Sequence, residues 1–367
     1  RTAGRLGEAP PDPGLVRRYT VRSMRAVTFQ GPEQVRIDEK PEPELVAGDD
    51  AVVGVEASGI CGSDLHIYHG RVPVEPGFTI GHEFVGTVLA AGDGVERVAV
   101  GDRVLGTFHT ACATCVSCLR GDYHRCRNGQ TFGHGASLGD LQGAQAEQLL
   151  VPRANLTLRQ VPEGMSADVA LFAGDVMGTG YHAVAHAGMR SGDTVAVLGL
   201  GPVGLCAVQA ALAGGAVQVF AIDTVAERLD MAESFGATPL HLTEQEPKRA
   251  IRAATDGLGV DVVVDAVGDP GPLALAISLA RDAGTVSGIG AYAGKGEIPL
   301  GLAWLKGLDL RLGLANVIAH VDRVLALLEA GKLDPAPLVT DHMALDRVAE
   351  AYEIYDRREA LKIVLTP

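Results

Sequence analysis

Apolar residues recur along this chain in two different rhythms, and the change falls near Ala167. From Met24 to about Leu158 the rhythm is short, with β-branched and aromatic runs at 25–29, 51–57, 84–89 and 103–107 between turn residues such as Gly48-Asp49 and Gly92-Asp93-Gly94. Runs of this length bounded by Gly and Asp predict a β-rich first domain. Beyond Ala167, helix-length stretches alternate with apolar runs at 194–198, 217–222, 260–264 and 285–289. Strands covered on both faces lose their polar alternation, so this texture predicts a parallel sheet with crossover helices. After Val317 the pattern is helical again, with 321–331 closing on Gly331 as a cap, and the chain finishes on a strand over 361–365.

The 367 residues, 47% of them hydrophobic, are enough for two packed domains. With 31 Lys plus Arg against 45 Asp plus Glu, the net charge of −14 argues against nucleic acid or an anionic membrane as partner, since either calls for a basic face. The uncharged run 194–222 has the length of a membrane span, but its glycines, Pro202, Gln209 and Gln218 divide it into strand, turn, helix and strand. Residues 1–23 are rich in Arg and Pro and hold no apolar signal core. Met24 reads as the natural start, and 1–23 as an upstream-reading artefact or a disordered arm outside the fold. The cytoplasm is the expected location, where thiols stay reduced and clustered cysteines point to metal rather than disulfides.

Cys112, Cys115, Cys118 and Cys126 follow a C-x2-C-x2-C-x7-C spacing. Four thiolates leave no open position, so the cluster predicts a closed structural zinc site, with an iron–sulfur cluster as the lesser alternative. Cys206 stands apart in an apolar helix and reads as a small core residue. A second set is more open: Cys61 begins Cys61-Gly-Ser-Asp-Leu-His66, and Gly81-His82-Glu83 follows. One thiol and one imidazole leave room for a third ligand and a free position, as a catalytic zinc requires. The pair gains meaning beside Asp175 and the nucleotide motif that follows it.

Gly199-Leu-Gly201-Pro202-Val203-Gly204 follows the apolar run 194–198 and opens a helix. In that context the glycines allow a tight turn and a close approach of a pyrophosphate to the helix N-terminus. Asp223, nineteen residues after Gly204, is placed to accept from a ribose 2′-OH and to repel a 2′-phosphate, which favours NAD over NADP.

Taken together, these motifs resemble the zinc-containing medium-chain alcohol dehydrogenases over the whole chain from Met24 on. The resemblance implies an α/β plus β fold: a GroES-like catalytic domain of 24–175 and 317–367, and a Rossmann coenzyme domain of 176–316. It implies two zinc ions per subunit. One is a catalytic zinc on Cys61, His82 and Asp175, with Glu83 behind it as a transient ligand; the other is the structural zinc of the four-cysteine lobe. Asp at the third position is similar to bacterial secondary-alcohol and glutathione-independent formaldehyde dehydrogenases. Asp64 is expected to orient His82. Ser63 and His66 match the family's proton relay through the cofactor ribose, against the plainer alternatives of a helix N-cap and a surface histidine.

The same resemblance puts Thr179, Arg228, Ala266, Val267, Ile289, Gly290 and Ala291 at the NAD, and Val72 and Phe108 on the alcohol pocket, where they could equally be core residues. Gly62 departs from family members that have Arg or His there, touching the pyrophosphate. Trp304 lies in the stretch that approaches a subunit interface or pocket in relatives. The implied activity is reversible hydride transfer from a small alcohol to NAD, giving aldehyde or ketone, in a homodimer or homotetramer. A polyol, threonine or formaldehyde dehydrogenase is the alternative of the same family. A zinc-knuckle nucleic-acid module and an inactive NADH sensor are the remoter ones.

Overall fold

A computed structural model describes residues 22–292 and 295–367. Of the segment set aside at the N-terminus, residues 1–21 lie outside the described residues. Ser23 does not belong to that segment: it opens the first strand, paired with Pro41.

Strands β1 (Ser23–Gly31) and β2 (Gln34–Pro41) form an antiparallel hairpin. A seven-stranded sheet follows, built from β3 (Ala51–Gly59), β4 (Glu83–Ala91), β5 (Arg103–Gly106), β6 (Gln148–Val151) and β7 (Leu158–Gln160), and completed from the far end of the chain. The parallel sheet comprises β8 (Thr194–Leu198), β9 (Gln218–Asp223), β10 (Thr238–His241), β11 (Val260–Asp265), β12 (Ala280–Gly288) and β13 (Asp309–Leu312). The last two strands, β14 (Asp341–Ala344) and β15 (Ile363–Thr366), return to the first sheet, where β15 lies against β3.

The parallel order is β10-β9-β8-β11-β12-β13, which is the doubly wound order of a dinucleotide fold. Its strands alternate between two cores. Val195, Val197, Val219, Ala221, Val262 and Val264 face one cluster, while Ala196, Leu198, Phe220, Ile222 and Val263 face the other. Burial on both faces is why these strands read as continuous apolar runs. The first cluster also takes in Ala57, Val85 and Leu105 from the other sheet and Phe108 just beyond β5, so one core joins the two halves.

Helix Val317–Glu329 packs on helices Ala167–Ala173 and Val176–Ala187, and Gly331 follows it with a φ of 63°, as its cap role predicts. Six short strands escaped the sequence reading: β2, β6, β7, β10, β13 and β14. β2 is eight residues long but mostly polar, and the other five are only three or four residues, too short to display a period.

Candidate active site

The four-cysteine lobe folds around helix Val116–Leu119 and the turn Tyr123–Arg125. Cys115 Sγ lies 3.6 Å from Cys118 Sγ and 3.9 Å from Cys126 Sγ, and Cys112 Sγ lies 4.0 Å from Cys118 Sγ. A tetrahedron with bonds of about 2.3 Å has edges of about 3.8 Å, so the lobe fits a zinc ion in its present geometry. The backbone prepares it. The Thr114 hydroxyl and the N–H groups of Thr114 and Cys115 lower the Cys112 thiol to about 5, and the N–H groups of Cys118 and Arg127 lower Cys115. Burial pushes Cys118 up to about 12, an opposing cost that a cation would offset.

The second set converges from three separate places. Cys61 caps helix Gly62–Tyr68, His82 and Glu83 stand at the start of β4, and Asp175 caps helix Val176–Ala187. Their ligand atoms lie within 4.8 Å of one another. His82 Nδ1 is 3.1 Å from Asp64 Oδ1, and the other Asp64 oxygen accepts from the Cys61 N–H at 2.9 Å. Asp64 therefore holds the proton of His82 on Nδ1 and leaves Nε2 as the ligating atom. That Nε2 is 3.1 Å from Asp175 Oδ2 and 3.2 Å from Ser63 Oγ.

The electrostatics call for a cation. Asp64, Glu83 and Asp175 are buried with one ammonium among them, that of Lys362, and Glu83 Oε2 has no partner among the described residues. Burial alone would lower the His82 imidazole, yet the Asp64 charge and the Asp175 bond raise it well above its ordinary value. Burial likewise works against Asp175, but the His82 bond and charge bring its carboxyl down to about 2. Three carboxylates and one ammonium leave two negative charges, to which a Cys61 thiolate ligand adds a third, so a divalent ion on Cys61, His82 and Asp175 would offset most of the excess.

A cleft of about 790 Å³ opens onto this set. One wall carries Cys61, Ser63, His66, Val72, His82, Phe108 and Asp175, and the other Thr179, Gly201, Pro202, Val203, Gly204, Ala266, Val267, Ile289, Gly290 and Ala291. Val72 and Phe108 line the cleft and also pack on apolar clusters. Ser63 is not a helix N-cap, because Cys61 holds that position. His66 is half-buried, with a buried Nδ1 that has no partner among the described residues, and burial lowers its imidazole, helped by Arg71. No direct hydrogen bond joins Ser63 to His66.

Gly199, with a φ of 82°, shapes the turn, and a Cβ on Gly204 would come within 1.8 Å of the Gly199 carbonyl oxygen. A Cβ on Gly201 would meet nothing within 4 Å, which is the open approach a pyrophosphate needs. Gly199, Asp223 and Arg228 do not line the cleft itself. Asp223 sits at the end of β9, where its carboxylate accepts from the N–H groups of Leu200, Thr224 and Val225. Trp304 is 81% exposed and is not on the pocket lining, while Cys206 is wholly buried on helix Pro202–Ala213, as a small core residue.

Sequence reasoning missed Arg71, Arg125, His134, Tyr292 and Lys362, all of which line the cleft. Lys362 left one signal, a lone charge in the apolar run 361–365. His134 left only its place in Phe132-Gly-His134-Gly.

Residues 47–163 match the alcohol dehydrogenase GroES-like domain, and 202–329 match the zinc-binding dehydrogenase domain. A Mycobacterium tuberculosis protein named as a probable zinc-binding alcohol dehydrogenase is 39% identical over 94% of this chain and 89% of its own. The chain belongs to the zinc-containing medium-chain alcohol dehydrogenase family. Alcohol dehydrogenase TADH from Thermus sp. ATN1 superposes with a TM-score of 0.91 at 45% identity, covering 94% of this chain and 99% of its own. An alcohol dehydrogenase from Escherichia coli, solved with NADH, gives a TM-score of 0.85 at 28% identity, with 94% and 99% of the two chains covered. Structures of this fold have been solved with NADP as well. As a family member the chain is a zinc-dependent oxidoreductase acting on alcohols, with a nicotinamide dinucleotide as its second substrate.

Proposed function

We propose that this chain oxidises a small alcohol with NAD in the cleft between its two sheets, over 24–175 with 317–367 as catalytic domain and 176–316 as coenzyme domain. The observation that carries this reading is the meeting of Cys61, His82 and Asp175 across from the glycine loop on one cleft. Zinc on those three residues would supply a Lewis acid that lowers the pKa of the alcohol oxygen toward neutrality. Ser63 Oγ, beside His82 Nε2, takes the alcohol proton and passes it on towards His66 at the cleft edge. The ribose of a bound cofactor would bridge those two residues. Val72 and Phe108 would keep the reacting carbon in apolar surroundings, and the N-terminus of helix Pro202–Ala213 would take the pyrophosphate.

NAD rather than NADP rests on Asp223, whose carboxylate stands at the end of β9 with no cation in the next position, Thr224. Its bonds to Leu200 and Val225 hold the carboxylate in place for the 2′-OH.

A homo-oligomer, dimer or tetramer, is supported at the outer edge of the parallel sheet. There β13 is an edge strand, and Leu300, Trp304 and Leu305 beside it are 66%, 81% and 75% exposed. A strand with one free edge, near such an apolar patch, suits a second copy of the chain. No helix among the described residues is long and apolar enough to cross a membrane. The cytoplasm is the compartment that keeps the free cysteines of the metal lobe reduced.

The test is NADH appearance with a panel of primary, secondary and polyol alcohols plus formaldehyde, alongside metal analysis. Turnover with about two zinc ions per chain is expected. A loaded, NAD-binding protein that turns over none of the panel would overturn the reading.

A further inference from the structure

A carboxylate behind the coenzyme wall has no part in the reaction so far described. Asp265 ends β11, is wholly buried and does not line the cleft. Its Oδ1 accepts from the Val267 N–H at 2.9 Å and the Gly268 N–H at 3.4 Å, and its Oδ2 from the Tyr292 hydroxyl at 2.6 Å. Its main-chain carbonyl accepts from the N–H groups of Ile289 at 2.9 Å and Gly290 at 3.1 Å. One residue thus holds two turns, the one after β11 and the one after β12.

Those turns lie backbone to backbone. Gly268 has a φ of 87°, and a Cβ there would come within 2.6 Å of the Ala291 nitrogen. Gly288 leaves room for Tyr292, since a Cβ on it would stand 2.7 Å from the Tyr292 hydroxyl oxygen. Burial raises the Asp265 carboxyl, against the pull of the Tyr292 hydroxyl and the two N–H groups. A buried carboxylate whose side-chain partners are two N–H groups and a hydroxyl is a costly way to fill a strand end, where an apolar side chain would need no partners. What the acid adds is a fixed relation between the turns.

The strand order places that pair of turns on the dinucleotide. Under the NAD reading, the glycine loop after β8 takes the pyrophosphate and Asp223 at the end of β9 the adenosine ribose. The nicotinamide end then falls to β11 and β12, on the other side of β8. Val267, Ile289, Gly290 and Tyr292 line the cleft there.

We propose that Asp265, acting with Tyr292, is a positioning residue for the nicotinamide half of the coenzyme: it fixes the two turns as one preformed wall on which the ring docks, and leaves the adenosine half untouched. This rests on the NAD reading and deepens it. A preformed wall removes the need to order two turns on binding, so its loss falls on affinity for the ring.

The test is calorimetric titration of the zinc-loaded protein with NADH and, separately, with ADP-ribose, which keeps the adenosine, the pyrophosphate and the second ribose but has no nicotinamide. Asp265→Ala is expected to weaken NADH binding by about tenfold or more while ADP-ribose changes by less than about twofold. Tyr292→Phe, which removes only the hydroxyl, should weaken NADH by about threefold to tenfold with the same selectivity. Asp265→Asn keeps an acceptor oxygen for the two N–H groups and should restore most of what Asp265→Ala loses. A merely structural role would weaken both ligands together. That result, or unchanged NADH affinity in Asp265→Ala and Tyr292→Phe, overturns the proposal. If Asp265→Ala does not fold, Tyr292→Phe decides by the same comparison. A native protein that binds neither ligand defeats the NAD reading and this inference with it, whereas a native protein that binds both, with variants that lose both alike, defeats this inference only.

Discussion

Glu83 and Lys362 form an ion pair in which neither side chain is exposed, although 279 residues separate them. The ammonium also donates to the Ile60 carbonyl at 3.0 Å, so it ties β15 to the segment that presents Cys61. Burial raises the Glu83 carboxyl to about 7 against the pull of Lys362. For Lys362, burial pulls down most strongly, but the charges of Glu83, Cys61 and Asp175 and the bond to Glu83 together outweigh it and the ammonium is raised. A buried pair of this kind adds little net stability over an apolar pair, but breaking one half leaves a stranded charge. Lys362→Met should therefore cost about 3–5 kcal/mol in denaturant unfolding, while a joint Glu83→Gln and Lys362→Met variant should cost less than the two single changes summed. Equal and additive costs would show that the two residues do not act as a pair.

Asp223 has two tasks, and they can be separated. Its carboxylate holds the glycine loop through Leu200 and stands where a ribose hydroxyl would meet β9. Asp223→Asn keeps an acceptor oxygen for the loop but removes the charge that repels a 2′-phosphate; Asp223→Gly removes both. The ratio of kcat/KM for NAD over NADP should fall in both variants, further in Asp223→Gly, and only the glycine variant should lose thermal stability. An unchanged ratio in both would mean that another group selects the dinucleotide.

None of the four thiols of the lobe around Cys112 is on the cleft lining, although Arg125 of the same lobe is. Cys115→Ser should release one zinc per chain and lower the melting temperature before it alters turnover at a temperature where the protein stays folded, since a structural ion contributes folding energy. The measurement is zinc content, melting and kcat on one preparation. Normal zinc and melting with lost turnover would contradict a structural role.

What could be read from sequence follows how local each feature is. The glycine loop and the cysteine lobe are short-range patterns, in which the residue types and their spacing carry the geometry, and both lie where the pattern placed them. The parallel strands were legible because burial on both faces leaves an apolar run. By contrast, Cys61, His82 and Asp175 meet only through the fold, and a family resemblance, not spacing, singled them out. His134 and Lys362 stayed hidden because their meaning depends on neighbours: the His82 ring beside the first, and for the second a carboxylate from the other end of the chain. Strands such as β10 and β13 are four residues long and exist by pairing with a neighbour rather than by their own pattern.

A pH response should follow from histidines away from the cleft. His182 Nδ1 is 3.1 Å from His320 Nε2, and His182 stacks on His186 with centroids 4.9 Å apart. Burial, then the charges of His320 and His186, hold the His182 imidazole down to about 3 from an ordinary 6.5, and burial lowers His320 as well. Above pH 6.5 both folded and unfolded chains keep these rings neutral, and the pair contributes nothing to pH dependence. As pH falls below 6.5 the unfolded chain takes up protons that the folded chain resists, on His182 until about 3, so stability is lost across that window. Replacing both rings, His182→Leu with His320→Leu, removes those sites from the unfolded chain and should flatten the slope of unfolding free energy against pH between about 6.5 and 4. The slope, rather than the absolute stability, is the quantity to compare, because the double change also alters packing. An identical slope in native and variant proteins would place the acid sensitivity elsewhere, with the metal-ligating groups the next to test.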